Sequence, residues 1–278
     1  MKKLFFVVAF SAMIFCTTEA QNLRTPAPSP TQMVKQDFAL SSVELTYSRP
    51  ALKGRKIFGD LVPYGKVWRT GANSATVITF GEEVNFGGTK VPAGKYGLLS
   101  MPGAQEWTLI LSKQLDVTSP GAYKQDQDVV RVKAAPMELP FNVQSFTIMF
   151  DDVKASSMNL MLLWDNVAVS VPIKSDVETK VMAQIDNMMN KDNRPYFNAA
   201  MYYMENGKDM TTAVKWLDKA LEQNPKAFWI HHQKANALAK QGKKSEAIAS
   251  AQKSIELAKE AKNDDYVALN EKLLVTLK

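Results

Sequence analysis

The sequence predicts two folds in series, an all-β antiparallel sandwich followed by a separate all-α domain. Three observations carry this expectation. From Phe38 to about Ile173 apolar residues recur at every second position, the spacing that puts alternate side chains on one face of a strand. Several of these runs carry apolar residues on both faces, which calls for layers on both sides. After Ile173 the period lengthens to that of helices. A two-sheet sandwich of about eight to ten strands fits the first part, with a small barrel as the second choice.

Ahead of the sandwich stand two further segments. Lys2 and Lys3 precede an almost wholly apolar run from Leu4 to Cys16, and Thr18 and Ala20 place small residues before a cut after Ala20. This is the pattern of a signal peptide, residues 1–20. The run is too short to span a bilayer, which takes about 20 residues. Residues 21–36, with Pro26, Pro28 and Pro30 spaced by Ala and Ser, read as an extended, disordered leader. The folded part is then expected to begin near Phe38.

Cys16 is the sole cysteine, so a cleaved chain has no disulfide and no thiolate metal site. Export without disulfides points to a bacterial periplasm or the exterior rather than a eukaryotic secretory route. Acylation of Cys16 is the lipoprotein alternative, but Phe15 is bulky where such a signal wants a small residue. After removal of the signal no transmembrane span is expected. The net charge of +6 comes without lysine-rich runs or interleaved aromatics, which sets nucleic acid aside as a partner.

Within the sandwich, residues 37–174, strands are expected at Val43–Tyr47, Ala75–Phe80, Trp107–Leu111, Val130–Ala134, Phe146–Phe150, Met158–Trp164 and Val167–Val171. Gly87-Gly88 and Val91-Pro92-Ala93-Gly94 read as hairpin turns, and Asp165-Asn166 as a further tight turn. The helical domain, residues 175–278, opens on a capping box, Ser175-Asp176-Val177-Glu178. Ala213, Leu217, Ala220 and Pro225 have the spacing of the second helix and closing turn of a tetratricopeptide repeat. Ala247, Ala251 and Ser254 repeat the first three at an offset of about 34 residues. The pattern is degenerate, with His231 where an aromatic often sits and Lys259 in place of a closing proline. Two repeats over about 194–261 and a capping helix over Asp264–Lys278 are expected, serving as a module that binds another envelope protein.

Few residues offer chemistry. His231 and His232 are neighbours on a helix, so their side chains diverge by about 100 degrees and cannot share a metal. Zinc enzymes and Ser-His-Asp triads are therefore poor candidates, and no cofactor is called for. Glu82-Glu83, Asp126/Asp128 and Asp151-Asp152 show no full calcium-loop pattern.

The stretch from Tyr47 to Asn73 stands apart. Arg49, Lys53, Arg55, Lys56, Lys66 and Arg69 crowd into it, with Asp60 the one acid among them. Such a field attracts anions, and Tyr47, Tyr64 and Trp68 add flat faces suited to sugars or peptide side chains. Tyr47, Arg49, Arg55, Lys56, Trp68, Arg69 and Asn73 are the candidate ligand-binding residues; no catalytic residue is identified. An enzymatic alternative makes Arg55 or Arg69 an oxyanion donor and Asp60 a base. A structural alternative has Ile57, Phe58 and Trp68 plug the sandwich end while the arginines bond loop carbonyls.

The blocks Tyr47-Ser48-Arg49-Pro50, Gly54-Arg55-Lys56-Ile57-Phe58-Gly59, Pro63-Tyr64-Gly65, Trp68-Arg69-Thr70-Gly71-Ala72-Asn73, Val91-Pro92-Ala93-Gly94-Lys95-Tyr96-Gly97-Leu98 and Glu106-Trp107-Thr108 occur in that order. Over residues 38–174 they resemble the bacterial domain-of-unknown-function family 2911. The resemblance implies an exported bacterial protein, sometimes with an appended repeat domain, and implies no activity.

Overall fold

The computed structural model describes residues 25–189 and 194–277. The expected signal peptide, with Cys16, and the first part of the leader lie outside the described residues. The chain divides into two compact units, one ending at Ser175 and one beginning at Asp176.

The first unit is a two-sheet antiparallel sandwich. Its strands are β1 (Thr31–Phe38), β2 (Ser41–Ser48), β3 (Thr76–Phe80), β4 (Val84–Phe86), β5 (Thr89–Val91), β6 (Gly94–Met101), β7 (Trp107–Ser112), β8 (Asp128–Ala134), β9 (Pro136–Asp151) and β10 (Ser157–Lys174). One sheet has the order β1-β2-β3-β6-β7-β8 and the other β5-β4-β10-β9, and neither closes into a barrel. Alternation does the sorting. Val43, Leu45 and Tyr47 of β2 turn inward, and so do Leu160, Leu162 and Trp164 of β10, into one continuous core.

The structure corrects four local expectations. Folding starts at Thr31, inside the segment read as leader, because β1 pairs along its whole length with β2. As an edge strand it buries little, and its polar alternation hid it beside the prolines. Pro92-Ala93 is no hairpin turn: β5 and β6 belong to different sheets, so the chain crosses the sandwich there. Asp165-Asn166 does not turn the chain either. Asp165 adopts φ 54° inside β10, where the register with β9 shifts as in a β-bulge. Finally, Asp176 rather than Ser175 accepts from the Thr179 amide (3.1 Å) at the start of the first helix, while the Ser175 hydroxyl donates to Glu82 (2.7 Å).

Two-sided apolar strands find their second layer in residues 113–127. Leu99 and Ile110 face away from the main core and are buried with Ala75 and Val117, against which Val67, Met101 and Tyr123 pack. Gly97 permits the approach, since a Cβ there would stand 2.3 Å from the Gln114 carbonyl oxygen.

Within this cover the Tyr123 hydroxyl donates to Asp128 (2.5 Å), and Arg131 donates to both (2.9 Å). Burial, then the bond to Asp128 and its charge, push the Tyr123 phenol up to about 12. In the unfolded chain a tyrosine ionises near 10. The folded state therefore keeps a proton that the unfolded state loses, and this stabilisation, complete below about pH 10, is lost as pH rises to about 12. Denaturant unfolding between pH 9 and 11.5 should show a steeper alkaline decline for the wild-type chain than for Tyr123→Phe. Parallel declines would remove Tyr123 from the account.

The second unit is helical: α1 (Val177–Met189), α2 (Tyr196–Glu205), α3 (Met210–Gln223), α4 (Phe228–Lys240), α5 (Lys244–Glu260) and α6 (Asp264–Thr276). Asp209 caps α3 by accepting from the amides of Thr211 (3.1 Å) and Thr212 (3.0 Å), and Asn263 caps α6 through the Tyr266 amide (3.1 Å). Ala200, Ala213, Ala220, Ala237 and Ala247 are buried where helices meet; small side chains there let the axes come close.

Candidate functional site

Tyr47 to Asn73 leaves β2 and returns to β3 as a folded cover. Its backbone is stitched to the strands by Leu52 N to Gln144 O (2.6 Å), Phe146 N to Pro50 O (2.9 Å) and the reciprocal pair of Trp68 and Ser100 (2.7 and 3.0 Å). Leu52, Ile57, Phe58 and Val62 enter the main core. Trp68 lies among Phe58, Trp107, Phe146 and Trp164, with ring centroids 4.9–6.5 Å away.

The candidate arginines look inward to carbonyls. Arg49 donates to Phe146 O (3.0 Å) and the Thr147 hydroxyl (2.7 Å), Arg55 to Leu52 O (3.1 Å) and Ala51 O (2.5 Å), and Arg69 to Thr118 O (2.8 Å). Arg49 and Arg69 each strap one segment to another, while Arg55 closes on its own turn. The Tyr47 hydroxyl donates to Gln32 (2.8 Å) and accepts from the Ile148 amide (2.9 Å), and burial raises its pKa. Asn73, at φ 60°, donates to Ser29 O and Ser48 Oγ (both 3.2 Å). Lys56 and Asp60 are exposed.

The seven residues thus form three groups. Tyr47, Arg49 and Asn73 fasten the cover to β9 and to the chain before β1; Arg55 and Lys56 stand on an exposed turn. Trp68 and Arg69 instead line a cavity of about 420 Å³. Sequence reasoning passed over its other walls: Leu61, Val62, Pro63, Lys66 and Val67 from the same cover, and Ser119-Pro120 from the 113–127 segment. Lys66 stood out among the cations, but nothing local announces that residue 119 returns to residue 69.

In the helical unit a groove of about 650 Å³ runs across α2, α4 and α6, the alternate helices of the stack. Met201, Met204 and Glu205 come from α2, Gln233, Asn236 and Lys240 from α4, and Leu273 and Leu277 from α6 and its end. Methionines adapt to varied apolar partners, while the amides can pair with peptide groups.

Behind the groove His232 is buried. Its Nδ1 lies 2.8 Å from Asn270 Oδ1 and its Nε2 3.0 Å from Asn236 Nδ2, an arrangement that puts the ring proton on Nδ1. Asn270 also donates to Ser254 Oγ (2.9 Å) and Tyr266 O (2.6 Å). His231 points elsewhere, and burial lowers its pKa. Among the described residues no three His, Cys, Asp or Glu side chains cluster as metal ligands would, and no helix is long and apolar enough to cross a membrane.

A β-sandwich with a strapped cover, followed by a stack of helix pairs with a groove on alternate helices, defines a two-part protein whose second part is a helical-repeat unit. The sandwich residues decide the family. A model described as a protein of unknown function (DUF2911) matches residues 29–173, and the chain belongs to that family. Two tetratricopeptide repeat models match residues 194–226 and 216–249, the region of α2 to α5. No curated protein matches the chain.

Proposed function

We propose that the chain is an exported adaptor of the bacterial envelope. The helical unit holds an extended segment of a second protein, and the sandwich carries a small ligand. The observation that supports this best is the groove: adaptable methionines and the Gln233 amide share it with one charge of each sign, Glu205 and Lys240. A peptide strand exposes its amides and carbonyls at regular intervals, and Gln233 can take one of each. Export is supported by the charged pair and apolar run of residues 2–16.

Full-length chain should retain specific proteins from an envelope extract, and Gln233→Arg with Lys240→Glu should lower their recovery about tenfold, the effect expected of altering central contacts. Both positions lie off the buried core, so thermal unfolding should stay put. Undiminished recovery by the double variant would reject the groove as the protein-binding surface.

A further inference from the structure

The cavity beneath Leu61 and Trp68 carries chemistry of its own. We infer that it is a binding site for a small carboxylate with an apolar body, the acid group meeting Lys66 and Arg69 and the body lying between Leu61, Pro63, Trp68 and Pro120. This deepens the reading of the sandwich as the ligand-bearing part of the adaptor.

Charge is the first support. Lys66 and Arg69 both line the cavity; among the described residues no acidic side chain lines it, and neither cation has a carboxylate partner among their ion pairs. Asp60 of the same cover is not on its wall. Two cations without a carboxylate partner beside apolar surface give a field that attracts an anion.

Arg69 provides the second. Its Nη1 is held by Thr118 O at 2.8 Å, which fixes the side chain, while its Nε is buried with no acceptor. A guanidinium has five donors; this one is anchored yet short of acceptors. Arg49, in contrast, spends both Nε and Nη2 on β9, and Arg55 both on its own turn.

Shape and lining select the rest of the ligand. About 420 Å³ suits a small molecule. Apolar side chains outnumber polar ones around it, so a bare inorganic anion leaves most of the wall unused. Trp68 is already stacked against Trp164 (5.8 Å, 18°), which makes its outward face a rigid wall rather than an adaptable one.

Calorimetric titration of the full chain with 4-phenylbutyrate tests the proposal, beside its neutral amide, acetate and inorganic phosphate. The acid should saturate one site. The amide should bind at least tenfold more weakly, because a charge-assisted bond is lost, and acetate and phosphate should also bind more weakly for want of an apolar body. Arg69→Gln should weaken the acid at least tenfold. As that change also removes a strap, Lys66→Glu and Leu61→Glu, both at exposed positions, serve as variants that leave folding alone and should weaken it similarly. An amide that binds as well as the acid, no saturation by the acid, or indifference to both exposed variants would overturn the proposal. Protein capture through the helical groove should be unchanged in these variants, so failure here and failure of the adaptor reading are separately visible.

Discussion

Trp164→Ala should be among the most damaging single changes in the sandwich, costing about 3–5 kcal/mol, the range for deleting a large buried aromatic. Trp164 is only 2% exposed and sits where both sheets and the cover meet. Phe58 of the cover, Trp68 beside the cavity and Phe146 of β9 stand 5.7–6.3 Å from its ring. Removing it opens a void that these rings do not fill, because Trp68 and Phe146 are held by their own backbone bonds and Phe58 by the turn of residues 57–62 around it. Trp68 then loses the surface that keeps it flat. Urea unfolding followed by near-ultraviolet dichroism should show an early transition in the variant, while helical dichroism at 222 nm should keep a transition at the wild-type position. A shift below about 1 kcal/mol would mean that the rings are stacked loosely and that the cover closes without them.

Asn270→Ala should injure the helical unit by about 3 kcal/mol or more. Asn270 is fully buried and links α6 to α4 through His232 and to α5 through Ser254. Truncating it leaves the His232 Nδ1, the Tyr266 carbonyl and one side of Ser254 without this partner in a buried site. Each buried group left unmatched costs about 1–3 kcal/mol. Replacing the whole set by apolar residues should hurt less than the single change, since nothing polar remains to be starved. Asn270→Leu combined with His232→Leu and Ser254→Ala supplies that comparison. If the triple variant is the weaker one, in urea unfolding followed at 222 nm, packing rather than hydrogen bonding governs the joint.

How much of this was legible depends on whether the cause was local. Strands with one buried face, such as β2 and β3, declare themselves by alternation, and so do helices whose small residues recur at repeat spacing. What failed was non-local. Asp165 has the composition of a turn, and only the partner strand β9 reveals that β10 runs on through it. Pro92-Ala93 looks like a hairpin because the sequence cannot say that β5 and β6 end in different sheets. For the site, the crowd of cations in residues 47–73 was plain, but their destinations were not. Arg49 reaches Phe146 and Arg69 reaches Thr118, contacts set by the fold rather than by neighbours in the chain. The outcome for that stretch is divided: its three arginines bond the protein's own carbonyls, and Arg69 alone among them both straps the chain and lines a cavity. The groove was hidden for a related reason. Gln233 and Asn236 look like ordinary solvent-facing helix positions until α2 and α6 stand on either side.

The bond between the Tyr47 hydroxyl and Ile148 spans 101 positions of sequence, and this orders events in time. Neighbouring strands such as β9 and β10 can meet after closing a short loop, whereas this contact must wait until nearly the whole sandwich has gathered, since loop-closure entropy grows with the separation. A chain still being delivered from its N-terminus therefore holds Tyr47 without its Ile148 partner. The lock on the cover waits for β9, and until it closes the apolar residues beneath are open to whatever escorts the nascent chain.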